Sequence, residues 1–321
     1  MARPPQLSVL VPVFNEEESL ADLGNEIRGA LGPLDFEVVF VDDGSTDRSF
    51  QEIGRICRED PRFRALRLGK NFGQTAAMAA GIAAARGAVI GCLDSDLQND
   101  PRDIPAMLAR LDEGFDVVSG WRRDRKDAWL SRRLPSQAAN ALISWATGVR
   151  LHDYGCSLKL YRSEFLKGLG LVGEMHRFVP ALAAKMGARI TEMPVNHRSR
   201  TRGTSKYGLA RIVKVLLDLL TVKFMDQYMT KPNYLFGGAG MAMVLASLAM
   251  GAVTLYNRIA RGIFVKDQPL FEVAMVFGVM GVEFLLLGLL AEIMIRVYYD
   301  VRERPIYFVR ERLGFGAGEA L

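Results

Sequence analysis

The chain has 321 residues, with 41 Lys plus Arg against 36 Asp plus Glu, a mildly basic balance of +5. Half of the residues are hydrophobic and 24% are charged, which excludes a disordered or collagen-like chain and provides for one or two buried cores. A wholly soluble chain is not expected, because residues 233–257 carry no charge over 25 positions, more than the roughly 20 that cross a bilayer.

Leu7–Val13, 36–41, 88–93 and 115–119 are short apolar runs separated by stretches of helical length. Strands apolar on both faces and alternating with helices predict an α/β layer with a mostly parallel sheet. Ligands of such a sheet sit at the carboxyl ends of its strands. Polar residues cluster there: Asn15 and Glu16, Asp42 and Asp43, Asp94 and Asp96. No long apolar run precedes Leu7, so no secretory signal is expected and the N-terminal domain is expected to stay on the side where it is made.

A helical stretch is expected from 132 to about 147, and a short mixed region to 195. Residues 196–231 then hold eight basic and two acidic side chains. If 207–225 is helical, Leu209, Ile212, Val213, Leu216, Leu217, Leu220 and Phe224 fall on one arc of about 140°, an amphipathic helix suited to a membrane interface. Two spans follow, at about 234–256 and 273–295. Arg296, Arg302, Arg304, Arg310 and Arg312 after the second agree with a cytoplasmic C-terminus, against Arg258, Arg261 and Lys266 in the connecting loop. Glu283 inside the second span is expected to make an interhelical hydrogen bond. Gly238, Ala242 and Ala246 at four-residue spacing suit close helix approach and point to a homo-oligomer. The expected domains are 1–206, 207–232, 233–300 and a cytoplasmic tail, 301–321.

Asp94-Ser95-Asp96 ends an apolar strand and Leu97-Gln98 follows, which places oxygen side chains at alternate positions. Hard divalent cations such as Mg2+ or Mn2+ accept one or two carboxylates and complete their shell with phosphate oxygens and water, so Asp96 and Gln98 are candidate ligands. Three scattered histidines, His152, His176 and His197, give a zinc site little support. Cys57, Cys92 and Cys156 show no CxxC spacing and are expected as reduced thiols facing cytosol. In Asp42-Asp43-Gly44-Ser45-Thr46-Asp47 the Asp-Gly pair makes a turn, and Ser45, Thr46 or Asp47 is available to cap a helix. Asp42 and Asp43 then remain for a ligand, and with Pro12, Phe14, Asn15 and Glu16 they suggest a nucleoside pocket.

These motifs, VPVFNE at 11–16, VDDGSTD at 41–47, NFG at 71–73 and DSDLQ at 94–98, resemble family 2 glycosyltransferases. Arg200-x-x-Gly203-x-Ser205-Lys206-Tyr207 and the two-span C-terminal region are similar to the polyprenyl-phosphate subgroup, relatives of dolichol-phosphate mannose synthase. The resemblance implies a GT-A nucleotide-sugar-binding domain in which Pro12, Phe14, Glu16 and Asp43 line the nucleoside pocket. It implies that Asp94, Asp96 and Gln98 hold donor and metal, that Arg122 meets phosphate, and that Arg200 and Lys206 clamp donor diphosphate or acceptor phosphate. Arg132 or Arg133 would receive the lipid phosphate. Asp153–Lys159 departs from the family's usual Gly-Phe-Arg ending of that segment.

The expected reaction moves a sugar from a nucleotide, taken as UDP-linked, to undecaprenyl or dolichyl phosphate by one in-line displacement with inversion. An acceptor phosphate is already ionised at neutral pH, so no protein general base is needed, and a metal with Arg and Lys stabilises the departing diphosphate. The expected partners are that donor, that acceptor and the bilayer, with no nucleic acid. A processive polysaccharide synthase would carry a QxxRW segment, and none of Trp121, Trp129 and Trp145 follows an Arg. A catalytically silent nucleotide-binding scaffold is the alternative from another class. The run Gly168–Gly173 fits GxGxxG formally but lacks a preceding strand, and is expected to be loop.

Overall fold

The structure, a computed structural model, describes residues 4–123, 140, 143–144, 147–167, 169, 171, 175–198, 232–300 and 307–316. Arg132, Arg133, Arg200, Lys206, Trp129, Trp145 and the expected amphipathic helix lie outside them. The chain divides into two compact units, Met1–Leu219 with Pro305–Leu321, and Leu220–Arg304.

The first unit holds an eight-stranded sheet: β1 (Leu7–Val13), β2 (Phe36–Asp42), β3 (Phe63–Leu68), β4 (Val89–Cys92), β5 (Val117–Trp121), β6 (Lys159–Arg162), β7 (Ile190–Pro194) and β8 (Val309–Leu313). Their order is β7-β5-β6-β4-β1-β2-β3-β8. β1 to β4 are parallel, as are β5 and β7, while β6 and β8 run against their neighbours. This is the mostly parallel α/β layer that the alternating pattern predicts. β3 was not among the expected strands, and β8 lies in the stretch expected to be a tail.

β1 and β2 form because LSVLVPV and FEVVFVD offer almost no polar face, and both are buried along their length. Such strands need helices on both sides. The first unit's helices are α1 (Leu20–Leu31), α2 (Ser49–Glu59), α3 (Gln74–Ala84), α4 (Ile104–Asp112), α5 (Ser163–Lys167) and α6 (Val179–Lys185). α2 buries Phe50, Ile53 and Ile56 and leaves Arg55 outside, paired with Glu52 and Glu59. Each fully buried aliphatic side chain here contributes about 1.5–3 kcal/mol. In α3, a Cβ on Gly81 would stand 3.2 Å from Leu10 and from Val41, so the missing side chain lets the helix lie close on β1 and β2.

The sheet grows from β1 to β2 and β3 on one side, and β4 then adds on the other. The carboxyl ends of β1 and β4 therefore flank the crevice at a topological switch point, where ligands of open α/β sheets bind. At the opposite end, buried Glu37 accepts from Ser8 Oγ (2.6 Å), Arg86 N (2.7 Å) and Arg86 Nε (2.9 Å), and stands 3.3 Å from buried Arg64.

The second unit contains two long helices, α7 (Pro232–Arg261) and α8 (Pro269–Asp300). Their apolar stretches, Leu235–Arg261 and Pro269–Met294, have mean hydropathies of 1.8 and 2.3 and are long enough to cross a membrane. The helices meet at small residues: a Cβ on Gly240 would be 2.7 Å from the Gly281 carbonyl, and Ser247 Oγ donates to Ala274 O at 2.7 Å. Leu245, Leu248, Ile259 and Leu286 face outward, 59–77% exposed, so the pair leaves an apolar exterior that a bilayer would cover. Gly238 and Ala242 are on that exterior. Glu283 is also exposed and makes no hydrogen bond among the described residues, so the interhelical bond expected for it is not formed: its position on α8 points it away from α7.

Candidate active site

Four strand ends build the rim. At the end of β1, Pro12, Phe14 and Glu16 are half-buried and alternate with buried Val11 and Val13. Asn15 has φ 55°, a conformation Asn tolerates better than most residues. Its N–H donates to Ser45 Oγ (3.0 Å), and its side-chain oxygen accepts from Thr46 N (2.8 Å). Ser49 Oγ and Asp47 Oδ2 take the amides of Glu16 and Glu17. The Ser-Thr-Asp residues thus stitch the β2 loop to the β1 loop. None of their side chains caps α2 in the expected manner, although Asp47 Oδ1 accepts from Ser49 N at 2.9 Å.

Asp42 and Asp43 are both buried and both engaged. Asp42 Oδ1 accepts from Ser45 N (3.1 Å), and Arg67 Nε lies 3.4 Å from Oδ2. Asp43 spans the start of the NFG segment, with Oδ1 taking Phe72 N at 2.7 Å and Oδ2 taking Gly73 N at 2.9 Å. Burial pushes both carboxyls above the usual range, opposed at Asp42 by Ser45 and Arg67 and at Asp43 by the two amides. Gly44 has φ +69°, and a Cβ there would stand 2.5 Å from the Lys70 carbonyl carbon, so only glycine fits. Asp43 thereby orders the start of the NFG segment beside the rim.

At the end of β4, the strand stops at Cys92 and residues 95–97 turn, with Leu97 at φ 62°. The alternation expected to aim Asp94, Asp96 and Gln98 one way therefore does not extend through them; a strained turn carries them instead. Strain of this kind at a non-glycine residue collects at functional sites. Asp94 is half-buried; desolvation and the charge of Asp96 push its carboxyl up, against a Ser157 hydrogen bond, Arg122 and Lys159. Gln74, the first residue of α3, donates to Asp94 Oδ1 at 3.1 Å. Asp96 Oδ1 accepts from Gln98 N at 3.2 Å, and Gln98 Nε2 reaches Arg198 O at 3.4 Å. Among the described residues no three His, Cys, Asp or Glu side chains converge as a metal cage. The oxygen donors present, two mutually repelling carboxylates and an amide carbonyl, fit Mg2+ or Mn2+ completed by phosphate oxygens and water rather than a protein-saturated ion.

Arg122, at the end of β5, is half-buried against Asp153 in a two-pronged pair, with Nε to Oδ2 at 2.7 Å and Nη2 to Oδ1 at 2.9 Å. Burial opposes its charge, but the Asp153 hydrogen bonds more than offset this and hold its pKa above the ordinary value. Its two terminal nitrogens keep three further N–H groups. Asp153, missed in the sequence reading, opens a segment that packs behind the rim. Asn99 Nδ2 donates to Ser157 Oγ (2.7 Å), and buried Lys159 donates to the carbonyls of Tyr154 (3.1 Å) and Cys156. Arg198 joins Glu26 (2.7 Å) and Asp100 (2.6 Å), and its N–H donates to Gln98 O. The backbone two residues before Arg200 is thus held beside the DSDLQ turn.

The acidic turn after β4, the buried aspartate tied to the NFG loop and a helical hairpin long and apolar enough to cross a membrane are joined in one chain. Residues 8–170 match the model for glycosyl transferase family 2, and the chain belongs to that family. It is 42% identical over 312 residues to dodecaprenyl-phosphate galacturonate synthase of Rhizobium johnstonii, covering 95% of this chain and 92% of that protein. It is 38% identical over 309 residues to undecaprenyl-phosphate 4-deoxy-4-formamido-L-arabinose transferase of Edwardsiella ictaluri, covering 95% and 93%. Its fold is similar to glucosyl-3-phosphoglycerate synthase of Mycobacterium tuberculosis, solved with Mn2+, UDP and glucosyl-3-phosphoglycerate (TM-score 0.54, 18% identity, 68% of this chain and 80% of that chain). The GT-A fold expected from the motifs is thereby established.

Proposed function

We propose that the enzyme transfers a sugar from a nucleoside diphosphate sugar to a polyprenyl phosphate, with inversion, at the cytoplasmic face of a membrane. The observation that carries this reading is the end-to-end likeness to two enzymes named for transfer to polyprenyl phosphate, in a chain whose acidic rim and apolar hairpin suit a polar donor and a lipid acceptor. UDP is the donor nucleotide we favour, on the fold's likeness to a UDP-binding enzyme. We assign the catalytic unit to residues 1–206 together with β8, the interfacial segment to 207–232, and the anchor to 233–300. A homo-oligomer through the outward small-residue stripe belongs to the same proposal.

The residues divide the work as follows. Pro12, Phe14, Glu16 and Asp43 border the nucleoside. Asp94, Asp96 and Gln98 would hold Mg2+ or Mn2+, which supplies positive charge to the departing diphosphate. Arg200 and Lys206 hold donor and acceptor phosphates that would otherwise repel, and Arg132 or Arg133 receives the lipid phosphate. Arg122, fixed by Asp153, offers its remaining N–H groups to phosphate. The acceptor oxygen is anionic at neutral pH, so displacement proceeds without a side chain taking a proton, and the chain's contribution is alignment and electrostatic stabilisation.

Incubating purified enzyme with a panel of nucleotide sugars, polyprenyl phosphate and Mn2+ should consume one donor and yield a lipid-linked monophosphoryl sugar. Tight donor binding with no turnover against any polyprenyl phosphate would sink the transferase reading and favour a silent scaffold.

A further inference from the structure

We propose that β8, the strand beyond the apolar hairpin, is a positioning element for the donor pocket, so that residues at the far end of the chain set nucleotide affinity. This rests on the reading that Asp43 and its neighbours border the nucleoside.

β8 is an edge strand with Arg310, Glu311 and Arg312 turned to solvent and the Leu313 side chain on the core. Charged edges of this kind discourage pairing with other chains. It pairs antiparallel with β3, Leu313 opposite Ala65 and Val309 opposite Leu68, and the register shifts between Arg67 and Leu68, where β3 gives way to the pocket loop. The contact continues one step past the strand, since Gly69 N donates to Phe308 O at 2.9 Å. The Phe308 ring covers Gly69, where an added Cβ would come within 3.1 Å of it.

The other end of β8 is anchored independently. The guanidinium of buried Arg64 lies 3.9 Å from the centre of the Phe315 ring, and Gly314 turns there with φ +75°. Between these points Arg67 reaches inward to Asp42 (3.4 Å) and outward to Glu311 (4.0 Å).

From Gly69 the path to the pocket is backbone against backbone. Lys70 and Asn71 pack on Gly44, and the next two amides, Phe72 and Gly73, are the ones Asp43 holds. A loop fixed at one end by β8 and at the other by Asp43 has little freedom. Released at Gly69, it would withdraw the two amides that orient the Asp43 carboxylate, and the binding edge would have to be reordered whenever donor arrives.

The test uses full-length protein in detergent with Mn2+ and UDP as the probe. Three proteins are compared: wild type, a chain ending at Pro305, and Gly69→Val, which wedges a branched side chain under Phe308 while leaving the strand in place. Both variants should bind UDP at least tenfold more weakly and raise the donor KM. The KM for polyprenyl phosphate should stay within about twofold for Gly69→Val. Hydrogen exchange should quicken in the peptide covering 69–74 but not in β1. Unchanged UDP affinity in both variants, with a wild type that binds UDP, overturns the role of β8 alone. If the truncated chain aggregates, unchanged UDP affinity and exchange in Gly69→Val overturn it by themselves. A wild type that binds no nucleotide overturns the pocket reading and this inference with it.

Discussion

Asp94 and Asp96 share one turn, yet the structure gives them different surroundings. Asp94 is tied to Gln74 and Ser157, while Asp96 takes the Gln98 amide on the outer side of the turn. Replacing Asp96 with Asn removes one of the carboxylate charges proposed to hold the divalent cation that stabilises the departing diphosphate. Transfer should fall on the order of 10²–10³-fold, as when one preorganised electrostatic contact is lost, and saturation should require more Mn2+; initial rates across a Mn2+ titration at fixed donor measure both. Arg122 poses a different question, because Asp153 takes two of its five side-chain donors and fixes the guanidinium. Arg122→Met removes the charged partner of a buried carboxylate and should cost about 3–5 kcal/mol, with Arg122→Met/Asp153→Leu recovering most of it; thermal melting with and without donor compares the two. Recovery of stability without recovery of donor KM assigns Arg122 a phosphate contact beyond its structural one. The thiols make a third case. Burial pushes Cys57 and Cys92 up to about 12 and Cys156 to about 11. Only the thiolate reacts, and a raised pKa leaves little of it until the pH nears those values. Iodoacetamide at pH 8 should therefore leave all three unmodified in the folded enzyme and label them after denaturation, as mass spectrometry would show.

Elements whose chemistry is local were legible from sequence, and elements completed by distant partners were not. β1 and β2 were evident because their apolar runs end in Asn-Glu and Asp-Asp-Gly, turn-forming residues visible in the local sequence. β3 was hidden because Arg64 and Arg67 interrupt its apolar pattern; their charges are answered by Glu37 and Asp42, both from β2. β8 was hidden for the same reason, since Arg310-Glu311-Arg312 reads as a solvated tail until β3 supplies its missing hydrogen bonds. At the site, the acidic rim was legible, whereas Asp153 and Gln74 became visible only when folding placed them against Arg122 and Asp94. In the hairpin, spacing singled out Gly238, but the close approach is at Gly240 and Gly281. A Cβ on Gly281 would stand 2.8 Å from Val244 Cγ2 and 2.9 Å from the Gly240 carbonyl, whereas one on Gly238 meets nothing within 4 Å. Gly281→Leu should thus separate the helices at an overpacking cost of about 1–3 kcal/mol. Gly238→Leu, on the outward face, should leave the melting midpoint of the detergent-separated monomer where it was. Equal midpoints for the two variants would remove the small-residue contact as the hairpin's packing point.

Across the whole molecule, the chain leaves the sheet-bearing unit after β7, makes the hairpin, and comes back to the same sheet as β8. If both apolar helices cross a membrane, the even number of crossings puts both ends of the hairpin on one side, as a shared sheet requires. This changes how the anchor must be tested. A truncation before α7 removes β8 along with the hairpin and confounds loss of membrane attachment with damage to the fold. Replacing 232–300 by a flexible Gly/Ser linker removes only the hairpin. That protein should bind UDP like the full chain and use a short, water-soluble prenyl phosphate at a comparable rate. With long-chain polyprenyl phosphate in vesicles its rate should drop on the order of 10²-fold, because the enzyme no longer shares a surface with its acceptor and loses the effective concentration that attachment provides. Flotation of the vesicles separates attached from free enzyme and links each rate to its location. If the linker form turns over vesicle-bound lipid as fast as the full chain, the hairpin does not deliver the acceptor, and the basic segment from Arg198 onward must hold the enzyme at the surface by charge alone. That outcome would also make the rate collapse in high salt, since attraction to anionic headgroups fades over a Debye length of about 10 Å at 0.1 M.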